Sequence, residues 1–241
     1  WIPSSRFWFC LNGVAWYLSV QAFLYAIFPC LLALLKKADT RRLRCIAAAI
    51  FCAQFLFSLA ILKAGLSGKA AFYLTYLCPL FRAGDFAISC CMGCLYRSRK
   101  EERIPYGAFS LLELAAVLFS GGCFFIAARQ VGALGAVAFR YNVLFTPSAV
   151  LLVWLLAVGK GIISRLLSAK PFLWLAGLSP YGFLIHQVLI RYMELAANKL
   201  GLTVHPVVWT LTVFLLTLCL SSFYKALEQR MRRRHGKAAA R

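Results

Sequence analysis

Long apolar runs, separated by short polar and basic segments, make up most of this chain of 241 residues. A helix needs about 20 mostly apolar residues to cross a bilayer, and several of the runs approach or reach that length. The pattern therefore predicts an all-α, polytopic transmembrane bundle of about seven membrane elements. These elements cover residues 14–35, 45–62, 82–96, 107–128, 143–158, 172–198 and 206–224.

Three prolines modify the predicted elements. Pro147 predicts a kink in the fifth element, because proline removes a backbone donor and clashes with the preceding turn. Pro180 predicts a break in the sixth element, and Gly182 loosens the turn that follows. Pro206 suits the first turn of the seventh element. The third element, at about 15 residues, is shorter than a usual span and could re-enter the membrane instead of crossing it.

Composition supports the membrane interpretation. Hydrophobic residues make up 62% of the chain and charged residues 14%, which excludes an ordinary soluble enzyme, a disordered chain and a coiled coil. The formal net charge is +20, from 27 Lys and Arg against seven Asp and Glu. Because the basic residues form short clusters between apolar runs, they indicate cytoplasmic loops on anionic lipid, and no nucleic-acid partner is expected.

The basic clusters also predict an orientation. If the N-terminus is outside and the crossings alternate, the inside segments are 36–44, 97–103, 159–170 and 225–241. These segments hold 19 of the 27 basic residues. The positive-inside rule therefore predicts an external N-terminus and a cytoplasmic C-terminus. Residues 1–224 form the predicted membrane domain, and residues 225–241 form a basic cytoplasmic tail.

The ten cysteines do not indicate a metal site. Cys91 and Cys94 form a CxxC motif with Cys90 beside it, but a zinc site needs about four ligands. No second CxxC or nearby histidine completes the motif. These cysteines are expected to pack between helices as small apolar residues.

A few polar residues fall at membrane depth, where each needs a partner or a function. Arg82 and Asp85 are spaced i, i+3 on one helical face. Two interpretations stay open: a self-neutralising pair, or an anion clamp built on the rigid fork of arginine. His186 follows the predicted break at Pro180, so it is either a satisfied core residue or an acid–base group. Gln21 can share a helical face with Tyr25, and Glu113 lies in the fourth element.

At three segments the sequence resembles the acyltransferase 3 family. Residues 16–29, W-Y-L-S-V-Q-A-F-L-Y-A-I-F-P, resemble its W-S-L-S-V-E-x-x-F-Y-x-x-x-P signature. Residues 76–86 resemble its Y-x-x-P-x-x-R-x-x-E/D-F stretch, and residues 178–187 its G-x-x-S-Y-x-x-Y-L-x-H stretch. Glu228 resembles the Glu that follows the last helix of the family.

The sequence also departs from the family pattern. Gln21 stands where the signature has Glu, and an amide cannot act as a base. The R-x10-H motif of the first family helix, which the resemblance makes the catalytic base, is absent from this chain. The family domain has about ten helices. The expectation is therefore that this chain is the later part of such a domain and is inactive by itself.

The resemblance implies an integral enzyme of the bacterial inner membrane that O-acetylates surface sugars. Acetyl-CoA or another acyl-CoA would be the donor substrate, no cofactor would be bound, and the acceptor would be a carbohydrate or lipid-linked sugar. Arg82 would hold an anionic or carbonyl group, and Asp85 would orient it. His186 and Tyr181 would line the acyl or acceptor path. Asp85 and His186 are the catalytic candidates. The expected substrate-binding residues are Arg82, Gln21, Trp16, Tyr181 and Ser179.

Two other function classes stay open. Broken helices and intramembrane charges also suit a small-molecule transporter, although the sequence shows no inverted repeat. A non-catalytic relative of the family is the second alternative, and Gln21 in place of Glu favours it.

Overall fold

The computed structural model describes residues 15–66, 68–98 and 105–239, and it is helical throughout these ranges apart from turns and short connections. The long helices are α1 (Ala15–Leu35), α2 (Thr40–Lys63), α4 (Pro79–Ser98), α5 (Tyr106–Arg129), α7 (Thr146–Val158), α10 (Ser179–Leu200) and α11 (Pro206–Ala239). The short helices are α3 (Gly68–Phe72), α6 (Val137–Arg140), α8 (Ile162–Leu167) and α9 (Lys170–Ala176).

The described helices confirm a polytopic, all-helical membrane protein. Five segments are long and apolar enough to cross a bilayer: Trp16–Leu35, Thr40–Lys63, Gly68–Ser98, Tyr106–Arg129 and Pro206–Arg232. A sixth candidate is the pair α9 and α10, whose axes are bent by 59°. Helix α7 is apolar but shorter than a usual span. The count of seven elements and the orientation of the termini remain predictions.

The predicted bounds of the third element were too narrow. Helix α4 begins at Pro79, and α3 with a π-helical turn over Tyr73–Leu77 precedes it. The complete helical segment Gly68–Ser98 has 31 residues, which is long enough to cross the bilayer.

The kink predicted at Pro147 was wrong, whereas the break predicted in the sixth element is present and lies just before Pro180. Pro147 lies in the first turn of α7 and Pro180 in the first turn of α10, where a missing backbone N–H breaks no helical hydrogen bond. The sixth element is interrupted earlier, at Gly177 and Leu178, between α9 and α10. The prediction for Pro206 was correct, since it is the first residue of α11. The last helix extends past residue 224 to Ala239.

The described chain divides into two compact units: residues 16–167 form the first, and residues 168–239 together with Ala15 form the second. In the first unit α2 packs closely against α4, and α5 packs against α7. One core cluster joins Phe81 to Ile61 of α2 and Phe139 of α6. A second cluster buries Cys91 completely, against Leu35 and Leu43. In the second unit α10 packs along α11.

A buried carboxylate fixes the connection after α7. Glu113 of α5 is fully buried, and its two oxygens accept hydrogen bonds from the backbone amides that precede and begin α8. The donors are the N–H groups of Ile163 at 2.8 Å, Gly161 at 3.2 Å and Ser164 at 3.3 Å. The first amides of a helix generally need acceptors from outside it, and a carboxylate is favoured at a helix N-terminus. Glu113 therefore caps α8 from another helix.

Candidate functional site

The candidate site begins at a break in the helical backbone before α4. Cys78 precedes Pro79 and is extended (φ −63°, ψ 120°), as the residue before proline prefers. Its amide donates to the Tyr73 carbonyl at 2.8 Å, which closes a π-helical turn. The Tyr76 carbonyl instead accepts a hydrogen bond from Nε of Arg82, also at 2.8 Å. The backbone break thus supplies the acceptor that orients this arginine.

The rest of the Arg82 guanidinium is held by two side chains. Its Nη1 lies 3.1 Å from Oδ2 of Asp85 and 3.1 Å from Oδ1 of Asn142. The side chains of Arg82 and Asp85 are 19% and 25% exposed. None of these contacts uses Nη2. The arginine is therefore held rigidly through Nε and Nη1, and Nη2 remains as a donor for a ligand.

Asp85 is in turn positioned from α2. Nε2 of the buried Gln54 donates to Oδ1 of Asp85 at 3.2 Å and to the Phe81 carbonyl at 2.9 Å. Each carboxylate oxygen of Asp85 therefore accepts one hydrogen bond, from Gln54 or from Arg82. This arrangement suits a group that orients its neighbour.

Aromatic rings surround the arginine on one side. Tyr76 lies under the Arg82 guanidinium, with 4.6 Å from Cζ to the ring centroid. Trp16 of α1 packs 4.8 Å from the Tyr76 ring, and Tyr141 lies 5.5 Å from it. Such a cation–π contact stabilises the charge where water is scarce.

A groove leads away from this cluster between α4 and α7, with a volume of about 530 Å³. Arg82, Asp85 and Asn142 line one end, and Tyr96 and Ala157 line the other. We call this the α4–α7 groove. Its α4 side runs from Arg82 to Tyr96, a distance of about 21 Å at 1.5 Å per residue.

A second cavity, of about 980 Å³, lies where α1, α2 and α4 meet at residues 36–43 and 94–98. Its polar lining residues are Lys36, Arg97, Asp39, Thr40, Ser89 and Ser98, and the rest of the lining is mostly apolar. Ser89 and Gly93 line both this cavity and the α4–α7 groove, so the two spaces adjoin the same stretch of α4.

The structure brings several of the predicted site residues together. Arg82 and Asp85 form the expected pair, and it is a half-buried pair with further partners. Trp16 reaches the same cluster through Tyr76. Gln21 donates to the Tyr25 hydroxyl at 2.5 Å, on the helical face the sequence predicted for the two.

The remaining predicted residues belong to the second unit. Tyr181 donates a hydrogen bond to the Glu228 carboxylate, which also pairs with Arg232 at 2.6 Å. Two segments of the family resemblance therefore meet there. Nδ1 of the half-buried His186 lies 3.0 Å from the Gly182 carbonyl. Ser179 is exposed at the start of α10.

Sequence reasoning missed Gln54 and Asn142. Gln54 is an amide inside an apolar run, so the signal that singled out Gln21 could have found it. Asn142 lies in the turns between α6 and α7, where no periodic pattern marks it. Gln54 is 31 residues away in sequence from its partner Asp85, and Asn142 is 60 residues away from its partner Arg82. Both reach the site only because the helices pack together.

Gly84 allows Gln54 to reach this site. A Cβ atom on Gly84 would collide with the Gln54 amide and press on Ile50. We expect Gly84→Ala to lower the free energy of unfolding by about 1–3 kcal/mol, the usual effect of overpacking. The measurement is the midpoint of thermal unfolding of the purified protein in detergent.

Gly121→Ala in α5 is the matched control, because a Cβ atom there meets open space. It should stabilise the protein by roughly 0.5–1 kcal/mol through helix propensity alone. If Gly84→Ala raised the unfolding midpoint as much as Gly121→Ala, the close approach of α2 and α4 at Gly84 would be contradicted.

Comparison with known proteins gives one result. The model of the acyltransferase 3 family, described as an acyltransferase domain, matches residues 1–225. No curated protein and no solved structure matches the chain.

Proposed function

The chain belongs to the acyltransferase 3 family, and from this premise we propose that it transfers an acyl group from a CoA thioester to a hydroxyl group of a cell-surface or lipid-linked carbohydrate. Its membrane would be the bacterial inner membrane. The observation that carries the proposal is the oriented Arg82 at the end of the α4–α7 groove, because acyl transfer needs donors fixed where a carbonyl oxygen gains charge.

The proposed topology has seven membrane elements with the N-terminus outside and the C-terminus inside. Five long spans, the bent pair of α9 and α10, and the short α7 together supply seven apolar elements. The basic segments between them then fall mainly on the cytoplasmic side.

The second cavity supports a CoA donor. In the proposed topology it opens at the cytoplasmic ends of α1, α2 and α4. Lys36 and Arg97 line its wall, and cationic side chains of this kind bind phosphate groups. The stretch at Ser89 and Gly93, which both cavities share, would let the thioester approach Arg82.

The proposed reaction assigns one role to each predicted residue. The acceptor hydroxyl oxygen attacks the thioester carbonyl, the C–S bond breaks, and the hydroxyl proton passes through a base to the CoA thiolate. Arg82 stabilises the developing oxyanion and Asp85 keeps Arg82 oriented. Trp16 and Gln21 are the proposed substrate-binding residues of the first unit, and Ser179 and Tyr181 are those of the second.

His186 is the candidate base within this chain. Its Nδ1 faces the Gly182 carbonyl, which can only accept, so Nδ1 carries the hydrogen in the neutral ring. Nε2 then holds the lone pair that could take up a proton. His186→Gln tests the role, because an amide cannot take up the proton, and transfer should therefore fall by about 10²–10⁴-fold.

The proposal is tested with the full-length native protein in inverted membrane vesicles. Vesicles receive CoA thioesters labelled in the acyl group, and label is measured in the purified glycan and lipid fractions. Transfer to a carbohydrate hydroxyl, with release of one CoA thiol for each acyl group moved, supports the proposal. Uptake of an unaltered solute would favour a transporter. Donor binding without transfer would favour a non-catalytic member of the family.

A further inference from the structure

Three hydroxyl groups along the α4–α7 groove are already engaged by backbone carbonyls, and the Tyr141 hydroxyl accepts a hydrogen bond from the Arg140 side chain at 3.0 Å. Ser89 donates to the Asp85 carbonyl at 2.9 Å, and Tyr96 donates to the Ala157 carbonyl at 2.9 Å. Thr146 lies 3.4 Å from the Asn142 carbonyl. Beyond the Arg82 end, the walls are mostly hydrocarbon and aromatic, and they include Ile88, Met92, Val150, Val153 and Trp154. Most of the length of the groove therefore suits a hydrocarbon chain.

The polar end of the groove is suited to a neutral acceptor. Arg82 and Asp85 neutralise each other at 3.1 Å, so the end offers donors without a net charge. Nδ2 of Asn142 is buried and has no hydrogen-bond partner among the described residues. A buried donor of this kind costs stability unless a ligand or water accepts its hydrogen bond. A carbonyl oxygen meets this requirement, whereas a phosphate would need a net positive site.

We propose that the α4–α7 groove binds the hydrocarbon chain of a long-chain acyl donor, with its thioester carbonyl at Arg82 and Asn142. This inference rests on the proposed acyl transfer, and it replaces the acetyl donor that the family resemblance implies. An acetyl group would fill only the polar end. The groove is about 21 Å long, compared with about 15 Å for the hydrocarbon of one bilayer leaflet, so it accommodates a chain of lipid length.

The first test measures kcat/KM for a series of acyl-CoA donors from acetyl to decanoyl, using the full-length protein in native membranes. Each methylene buried in the groove should raise kcat/KM by about two- to fourfold. Complete burial of one methylene would raise kcat/KM about fourfold. Because the groove is open on one side, the gain per methylene should be smaller than this. A profile that is flat, or that falls from acetyl onward, would overturn the proposal.

Gly93→Leu provides the matched structural test. Gly93 lines the groove, and a Cβ atom there meets open space, so a leucine side chain can fill the groove without distorting α4. The ratio of decanoyl to acetyl transfer should fall at least tenfold. Gly121→Leu adds the same side chain to α5, outside the groove, and should leave this ratio unchanged. An unchanged ratio in Gly93→Leu would contradict the proposal.

Photolabelling separates this proposal from the proposed function. A decanoyl thioester of CoA with a diazirine near the chain end should label α4 and α7 peptides around Met92 and Val153, and decanoyl-CoA should prevent the labelling. If no donor supports transfer, the proposed function fails, and competed labelling still supports chain binding. Equal labelling by a diazirine phospholipid, insensitive to decanoyl-CoA, would mean that bilayer lipid fills the groove and would overturn the proposal.

Discussion

Arg82→Ala in the full-length protein should lower kcat/KM for acyl transfer by at least a hundredfold. Arg82 is the cation of the polar cluster, and loss of one preorganised oxyanion donor typically costs about 10²–10³ in rate. Arg82→Lys should also lose at least tenfold. A single ammonium group cannot contact the Tyr76 carbonyl, Asp85 and Asn142 at once, as Nε and Nη1 do. The measurement is the initial rate of acyl transfer in vesicles with matched protein content.

A double substitution separates catalysis from folding. Arg82→Ala alone leaves Asp85 half-buried without its cation, and this can destabilise the protein by several kcal/mol. Arg82→Ala with Asp85→Ala removes the uncompensated charge, so thermal stability should recover while transfer stays low. Arg129→Ala is the control, because Arg129 is exposed at the end of α5. Recovery of both stability and transfer in the double variant would show that Arg82 is only structural.

Glu113→Ala should destabilise the first unit by about 3 kcal/mol or more. The substitution removes the carboxylate acceptor of three backbone amides, of which that of Gly161 also donates to Ser164 Oγ at 3.2 Å, and each buried donor left unsatisfied costs roughly 1–3 kcal/mol. Glu113→Gln retains one acceptor oxygen and should have a smaller effect. The readout is thermal unfolding followed by a thiol-reactive dye. Cys91 and Cys123 are buried and become labelled when the helices separate.

Two variants make the Glu113 prediction specific. Glu194→Ala removes an exposed carboxylate from α10 and should change the unfolding midpoint little. Gly161→Ala should approach the effect of Glu113→Ala, because a Cβ atom on Gly161 would collide with the Glu113 carboxylate. A stable Gly161→Ala variant would contradict the capping arrangement.

The site shows how far sequence reasoning reaches. The i, i+3 spacing of Arg82 and Asp85 predicted their pairing, because both lie on one face of one helix. The spacing left open whether the two residues only neutralise each other or form an anion clamp. The answer depends on Gln54, Asn142 and the Tyr76 carbonyl, which reach the pair through helix packing and a π-helical turn.

The errors have the same physical origin. Pro147 was interpreted as a kink and Pro180 as the point of the break, yet both lie in the first turn of a helix, because the position of a helix start depends on the turn that precedes it. Glu113 was recognised as a buried charge without a known role. Its partners lie about 50 residues further along the chain and become neighbours only when α5 packs against α7 and α8.

The sequence by itself determined that this protein is a helical membrane protein. Apolar run length is a local property, and the bilayer requires every backbone group in it to be satisfied within a helix. Only the tertiary structure decided which polar groups meet, where the groove lies, and that its walls are mostly hydrocarbon. These features depend on which helix faces pack together, and a near-uniformly apolar helix does not specify that face in its own sequence.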